Sequence, residues 1–265
     1  MDTPRFFRAH PVFTLEEAHR ALRPLGGWKA THERLKYHQG KGRLKQLARG
    51  IYATAPPDVP LEKFRPDTFL VAAALRDDAI FSHHSALELL GAAHSEWSLV
   101  TVLTRSRRPP FGFDGQEVRF LDHPPGLRRA GREDLGIRKV ARSDRTLQTT
   151  GPERTLVDGF RQPHLAGGVD ELVESAAGFT VLDLELLQEL LELYATKGLW
   201  AAAGWFLERY RNTFYVDDDV LVRFERQRPR SPQYLLRSER GGMLVRRWNL
   251  IVPDSLSRGT EPDEA

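Results

Sequence analysis

The chain has 265 residues, of which 40% are hydrophobic and 28% charged, a composition typical of a globular protein with one large or two ordinary domains. It contains no cysteine, which excludes disulfide frameworks, thiolate zinc sites and cysteine nucleophiles. The first residues lack the apolar core of a signal peptide, and no stretch approaches the roughly 20 apolar residues of a membrane span. We therefore expect a cytoplasmic protein.

Positive charge is concentrated near the N-terminus. The formal net charge is +3, yet the segment from Lys29 to Arg49 holds seven lysines and arginines against the single acid Glu33, a net charge of +6. The rest of the chain therefore carries −3. A basic block on a mildly acidic remainder is typical of a protein that binds a polyanion. The alternative is a solvated helix and turn that happen to be basic, and charge alone does not decide between the two.

The predicted elements begin with two helices. Thr14 is placed to cap the first, with acidic residues in its first turn. Pro24 ends this helix, and Gly26 and Gly27 supply a tight turn. A second short helix is predicted from about Lys29 to Gln39, with its apolar anchor at position 35.

Two short strands follow these helices. The runs Leu44–Leu47 and Ile51–Ala53 have the character of strands, and a turn that ends in Gly50 joins them, with glycine where a positive φ is needed. This order of elements, helix, glycine turn, helix and two-stranded wing, is that of a winged helix-turn-helix. We therefore predict this motif for residues 1–55.

The second helix is then the candidate recognition helix, since the major groove of DNA admits one α-helix. Arg34 is the preferred base reader, because a guanidinium can bond guanine O6 and N7 together. Cations around the wing are better placed for phosphate contacts. For any one residue, the alternative is a solvent-facing side chain with no ligand. The predicted DNA-binding residues are Lys29, Thr31, His32, Arg34, Lys36, Tyr37, Lys41, Arg43, Lys45 and Arg49.

The remainder of the chain predicts an α+β domain. Residues 56–66 contain four prolines, which indicate an extended and fairly stiff linker. Residues 67–256 mix helical and strand patterns without regular βαβ alternation, which favours an α+β effector domain. The polar residues 257–265 are expected to be a frayed tail.

The larger domain shows few patterns that are typical of catalytic or metal sites. There is no phosphate-binding glycine loop and no GxSxG motif. The pair His83-His84 is better explained as a capped turn or as core histidines than as a metal site. Asp217, Asp218 and Asp219 are more simply the N-terminus of a helix. We therefore predict a protein that is not an enzyme and has no cofactor or metal.

Three segments support a resemblance to a known family. LKYHQGKGRLKQLARGIYA resembles the N-terminal winged helix of AbiEi-family antitoxins, and FSHHSALELLG and TGPERTLVDGFRQPHLAGGVDEL resemble their downstream domain. Together they span Leu35 to Leu172. The resemblance implies a repressor of its own operon, which binds promoter DNA at inverted repeats. It also implies an antitoxin of a type IV toxin–antitoxin system, associated with phage defence, which counteracts a nucleotidyltransferase-like toxin without a stable complex.

The sequence departs from this family at the start of the chain. Little room precedes Thr14 for a full first helix, so either the short stretch Pro4–His10 forms this helix or the winged helix is abbreviated. Within the second domain, Glu153, Arg154 and Asp158 form either a surface for antitoxicity or a helix N-terminus with an i,i+4 ion pair, and we prefer the second interpretation.

Two other functions stay open. One is a winged-helix regulator whose second domain senses a ligand or dimerises, with no toxin partner. The other is a nucleic-acid-processing enzyme, which needs clustered carboxylates with a lysine on adjacent strands.

Overall fold

The computed structural model describes residues 2–106, 108–236 and 241–257. It has mixed α and β structure, as the sequence predicts at this level. Contacts divide the chain into two compact units. The first comprises Met1–Ile80, Ser98–Leu121 and Lys139–Gln148, and the second comprises Phe81–Trp97, Asp122–Arg138 and Thr149–Ala265.

The N-terminal part of the first unit contains three helices and a small antiparallel sheet with the strand order β1-β3-β2. Its elements, in chain order, are α1 (Thr3–Ala9), β1 (Val12–Thr14), α2 (Leu15–Leu22), α3 (Gly27–Gly40), β2 (Leu44–Ala48) and β3 (Ile51–Thr54).

Helix α2 begins at a complete capping box. The Thr14 hydroxyl accepts the backbone N–H of Glu17 at 3.1 Å, and the Glu17 carboxylate accepts the backbone N–H of Thr14 at 2.6 Å. Each side chain satisfies an N–H group that the helix leaves without a partner. The predicted cap at Thr14 is confirmed.

Helix α3 begins two residues before the predicted start. The Gly27 N–H donates to the Pro24 carbonyl, and Gly27 has a φ of +61°. The chain therefore completes its turn at Gly27, and the helix starts there. Along α3, the buried residues Thr31, Leu35 and His38 follow the four- and three-residue spacing of one helix face.

The hairpin of β2 and β3 agrees with the predicted strands to within one residue at each end. Gly50 has a φ of +76°, a conformation that side chains rarely adopt. Its carbonyl accepts the N–H of Leu15 at 2.7 Å. The turn of the hairpin is thereby fixed to the start of α2.

Residues 56–66 are not the extended linker that the prolines predict. The Val59 N–H donates to the Pro56 carbonyl, and the Phe64 N–H donates to the Pro60 carbonyl, so the segment is folded into turns. Phe64 is buried in a cluster that includes Ile51. The prediction was wrong because proline also favours tight turns, where its fixed φ suits the second position. The segment lies inside the first unit, which continues to position 80.

The first unit also holds one helix and most of a six-stranded sheet with the order β6-β7-β5-β4-β9-β8. Asp67 caps the helix by accepting the N–H groups of Phe69 and Leu70. The elements are α4 (Thr68–Leu75), β4 (Ile80–Phe81), β5 (Leu99–Thr104), β6 (Phe111–Phe113), β7 (Gln116–Asp122), β8 (Ile137–Arg142) and β9 (Arg145–Thr150).

The second unit is mainly helical. Its helices are α5 (His84–Leu89), α6 (Pro125–Ala130), α7 (Pro152–Arg161), α8 (Val169–Ala177), α9 (Leu184–Tyr194), α10 (Lys197–Arg209), α11 (Asp218–Arg226) and α12 (Asp254–Ser257). A small sheet has β12 (Leu250–Val252) between β10 (Gln233–Tyr234) and β11 (Met243–Val245).

The core of this unit surrounds α10, whose residues from Leu199 to Leu207 are all buried. Asp217 accepts the N–H of Val220 at 2.9 Å and caps α11, which confirms the helix N-terminus predicted there. The predicted tail lies outside the described residues from position 258 onward.

None of the helices in the described ranges has the length and hydropathy of a membrane span. Among the histidines and carboxylates of the same ranges, no three form a group that could hold a metal ion.

Candidate nucleic-acid interface

Helix α3 presents a broad polar face to solvent. Because one face holds the buried stripe, side chains about 100° or more around the helix point outward. Tyr37 is 60% exposed. From position 28 to position 37, the exposed side chains of α3 are Trp28, Lys29, His32, Glu33, Lys36 and Tyr37. The face therefore combines two lysines with aromatic and imidazole groups.

A groove of 1330 Å³ lies between α3 and the turn of the β2–β3 hairpin. Lys36 and His32 line it from the helix, and Arg49 lines it from the turn. Leu75 of α4 and Arg108, which follows β5, also border it. The structure thus brings three of the predicted DNA-binding residues to one concave surface.

Arg34 lies on the other flank of α3. Its guanidinium donates to the hydroxyl of Thr3 on α1 at 3.3 Å, and its side chain is half-buried. Positions 34 and 36 are about 160° apart around a helix. Arg34 and Lys36 therefore face different sides, and Arg34 is not among the residues that line the groove.

Thr31 cannot contact DNA directly, in contrast to the prediction. Its side chain is fully buried, where the hydroxyl donates to the Gly27 carbonyl at 3.3 Å and bonds His19 at 2.8 Å. The His19 ring in turn stacks on Trp28 with centroids 3.9 Å apart. The prediction of direct DNA contact was wrong because Thr31 lies four residues before Leu35 and therefore shares the buried face of α3. Since α3 starts at Gly27, Thr31 is also not at the helix end.

Lys45 is already paired. Its ammonium lies 2.5 Å from the Asp114 carboxylate, and both side chains are about one-fifth exposed, at 23% and 20%. A phosphate would have to replace this carboxylate. By contrast, Lys41, Arg43 and Arg49 are exposed, and none has a carboxylate within ion-pair distance in the described residues.

His38 adds no charge near neutral pH. Burial lowers the pKa of its imidazole, and the nearby guanidiniums of Arg43 and Arg34 lower it further. The ring of Phe7 on α1 packs edge-on against it, with centroids 4.9 Å apart. Two arginines close enough to shift this pKa mark a region of positive potential on the α1 flank of α3.

The sequence analysis missed two cations on α1. Arg5 and Arg8 are exposed on this helix. Asp2 caps the helix by accepting the N–H of Arg5 at 2.9 Å, with Pro4 in its first turn. An aspartate cap followed by an early proline is a recognisable helix start. That signal could have identified α1 as a helix that carries both arginines.

In the second unit, Arg154 and Asp158 of α7 are fully buried. Arg154 donates to the carbonyls of Glu133 at 2.7 Å and Leu135 at 2.9 Å, and its Nε lies 3.6 Å from Asp158. Tyr194 donates its hydroxyl to Asp158 at 2.7 Å. The i,i+4 pair is confirmed, and the interpretation of these residues as an exposed surface for antitoxicity was wrong because neither reaches solvent.

Three further residues of this unit are also buried. Glu153, at the start of α7, accepts the N–H of Asp183 at 2.9 Å. His83 and His84 are buried, and His84 stacks on Trp97 with centroids 4.9 Å apart. The preference for core histidines is confirmed.

Comparison with known proteins finds no matching family model and no matching curated protein. The crystal structure of the RV2827C protein from Mycobacterium tuberculosis is similar to this chain, with a TM-score of 0.62 and 18% sequence identity. The match covers 94% of this chain and 89% of that chain. At this level of identity the likeness shows a shared fold, and a fold alone does not determine function.

Proposed function

We propose that this chain is a DNA-binding transcription regulator and that residues 2–55 form a winged helix-turn-helix. In this proposal, α2 and α3 are the helix-turn-helix, and β2 and β3 are the wing. The observation that carries it is the groove bordered by Lys36 on α3 and Arg49 at the hairpin turn. A short helix with exposed cations and a basic wing beside it have the size and charge to bind a duplex.

The exposed side chains divide into two roles. Lys41, Arg43 and Arg49 contact phosphates, since they are exposed cations at the end of α3 and on the hairpin. Lys36 and His32 read base edges from the groove side of α3. Arg34 reads them only if α3 turns its α1 flank toward the DNA.

We further propose that the regulator is an autorepressor and a type IV antitoxin that acts against a nucleotidyltransferase-like toxin. This part rests on the AbiEi-like segments between Leu35 and Leu172. Binding at inverted repeats of the promoter belongs to the same proposal. The toxin is a functional partner, with no stable complex expected.

A mobility-shift assay tests the DNA-binding proposal. The protein is titrated onto its own promoter fragment and onto random duplex of equal length, over a salt series. We expect tighter binding to the promoter and a steep loss with salt. The triple variant Lys29→Ala, Lys36→Ala, Arg49→Ala is expected to lose this binding. Equal weak binding to both duplexes would mean that α3 does not read sequence.

Co-expression tests the antitoxin proposal separately. A toxin-like reading frame beside the gene is expressed in a host with and without this chain, and growth is measured. We expect rescue by the wild-type chain and by the DNA-binding triple variant, because the proposal assigns antitoxicity to the effector domain of residues 67–256. A toxic frame that the chain fails to neutralise would leave a regulator without a toxin partner.

A further inference from the structure

An arginine-rich loop follows β5 in the first unit. The sequence from position 105 to 110 reads RSRRPP, with three arginines in four residues and then two prolines. Arg105 and Arg108 are exposed, and within the described ranges neither has a carboxylate at ion-pair distance. The proline pair limits the freedom of the chain after the arginines. The loop thus holds unpaired cations outside the segment that the proposed function uses.

The loop borders the same groove as α3 and the hairpin turn. Arg108 lines this groove together with Lys36 and Arg49. The wall between Arg108 and α3 includes Leu75 and Asp77, from the end of α4 and the residues after it. A duplex that lay against the groove and contacted Lys36 and Arg49 would therefore also approach Arg108.

The formal charge of the groove depends on Arg108. Three carboxylates line it, those of Glu16, Glu33 and Asp77. Lys36 and Arg49 alone do not balance them, and Arg108 brings the groove to formal neutrality. Since phosphates repel an acidic surface, the groove needs cations from the loop to accept a polyanion.

The base of the loop is held in place. Asp78 accepts the backbone N–H of Arg105 at 3.0 Å. Arg76 binds Asp78 through two hydrogen bonds of 2.6 Å and also donates to the Ser106 hydroxyl at 3.3 Å. The Thr104 hydroxyl donates to the Ser106 carbonyl at 3.1 Å. Residues 104–106, which these bonds hold, therefore lose little conformational entropy when the base of the loop binds.

We propose that this loop is a third DNA-contacting element, in which Arg105 and Arg108 bind backbone phosphates of the duplex that α3 reads. The inference rests on the proposed function and adds a contact from outside the helix-turn-helix and wing. Phosphate contacts carry no sequence information, so the loop raises affinity for every duplex alike. Each neutralised phosphate also steepens the dependence on salt, by about 0.9 in the slope of log K against log salt.

The test uses the full-length double variant Arg105→Ala, Arg108→Ala. We expect its affinity to fall by about tenfold on promoter and random duplex alike, and its salt slope to fall by about 2. The matched control is Lys63→Ala, Lys139→Ala, which removes two exposed cations of the same unit that do not line the groove. The control is expected to bind within about twofold of wild type.

The outcomes separate the two proposals. If the loop variant binds like the control while the Lys29, Lys36, Arg49 triple variant loses binding, the loop proposal is overturned and the proposed function stands. If wild type itself does not bind duplex DNA, both are overturned. A loss on the promoter alone would assign the arginines to base reading and contradict phosphate contact.

Asp78→Ala tests the brace, because Asp78 positions the loop and does not itself touch DNA. Removing a carboxylate raises the local positive charge, so electrostatics alone would tighten DNA binding. Loss of the hydrogen bonds that Asp78 makes to Arg76 and Arg105 predicts the opposite. The affinity for DNA should then be several-fold weaker than that of wild type, although both loop arginines are present. An Asp78→Ala protein that keeps its thermal unfolding midpoint and binds more tightly would show that the brace is not needed.

Discussion

The buried guanidinium of Arg154 is the residue on which the second unit should depend most. Its hydrogen bonds to two carbonyls and its proximity to Asp158 compensate a charge that has no access to water. Burying an ion costs several kcal/mol unless its partners are in place. Loss of Arg154 leaves Asp158 with Tyr194 as its remaining hydrogen-bond partner among the described residues.

We predict that Arg154→Met lowers the free energy of unfolding by about 3–5 kcal/mol, the usual cost of breaking a buried pair from one side. Urea denaturation followed by circular dichroism measures it. The double variant Arg154→Met, Asp158→Asn is the control, since it removes both charges. The double variant should lose less free energy of unfolding than the single variants Arg154→Met and Asp158→Asn lose when their losses are added. Equal losses would contradict a coupled pair.

His83 links stability to pH. Burial lowers its pKa from 6.5 to about 4, so the folded protein keeps the imidazole neutral. Between these two pH values the unfolded chain binds a proton that the folded chain does not. The stabilisation is therefore complete above about pH 6.5 and is lost as the pH falls toward 4, by up to about 3 kcal/mol.

We expect the urea concentration at the midpoint of unfolding to fall as the pH is lowered from 7 to 4.5. His83→Asn should reduce this slope, because asparagine does not titrate. The buried histidines His38 and His84, whose pKa values are also lowered by burial, account for the remainder. If the variant and wild type lose stability in parallel over this range, other groups carry the pH dependence.

At the scale of the element, the orientation of α3 decides which side chains would read bases in the proposed complex with DNA. Lys36 faces the groove, and Arg34 faces α1. A single docking of the helix brings one flank or the other closest to the base edges. The specificity of single variants therefore reports the orientation.

If the groove side docks, Lys36→Ala should lower the preference for promoter over random duplex by about 1–3 kcal/mol at one base pair, and Arg34→Ala should weaken both duplexes alike. The reverse pattern would indicate docking through the α1 flank. Arg43→Ala is the control for a phosphate contact and should leave the preference unchanged. Competition mobility shifts against operators with single substitutions provide the measurement.

Local signals explain which elements could be predicted. The cap at Thr14 and the glycine at Gly50 act within a few residues, and both are where the sequence places them. Strand β1 has only three residues, and it is ordered by pairing with β3, about forty residues later. Thr31 was misplaced because it was assigned to an exposed helix start, although it lies four residues before Leu35 and shares the buried face of α3. Long-range pairing is thus the information that single-sequence patterns lack.

At the scale of the molecule, the first unit is discontinuous in sequence. The chain leaves it after position 80 and returns to it twice, at Ser98–Leu121 and Lys139–Gln148. A charge block can be recognised because its residues are consecutive. Arg108 comes to the same groove through tertiary structure, so sequence spacing could not connect it with α3.

This organisation predicts that residues 1–55 do not form an independent fold. Val12, Ile51 and Ala53 are buried in one cluster with Phe64 and Leu70, so a fragment ending at position 55 exposes them. Each large apolar side chain left in water costs about 1.5–3 kcal/mol, which is a large part of the stability of a small domain. The fragment should therefore unfold without a cooperative transition and bind duplex DNA weakly.

Differential scanning calorimetry of the fragment and of the full chain checks this expectation. Phe64→Ala in the full chain isolates the same contact and should cost about 3 kcal/mol, within the range for truncating a buried aromatic side chain. Lys63→Ala, at the neighbouring exposed position, controls for changes in the turn itself. A fragment with a sharp transition and full DNA affinity would instead mean that the cluster only attaches a self-sufficient DNA-binding domain to the rest of the unit.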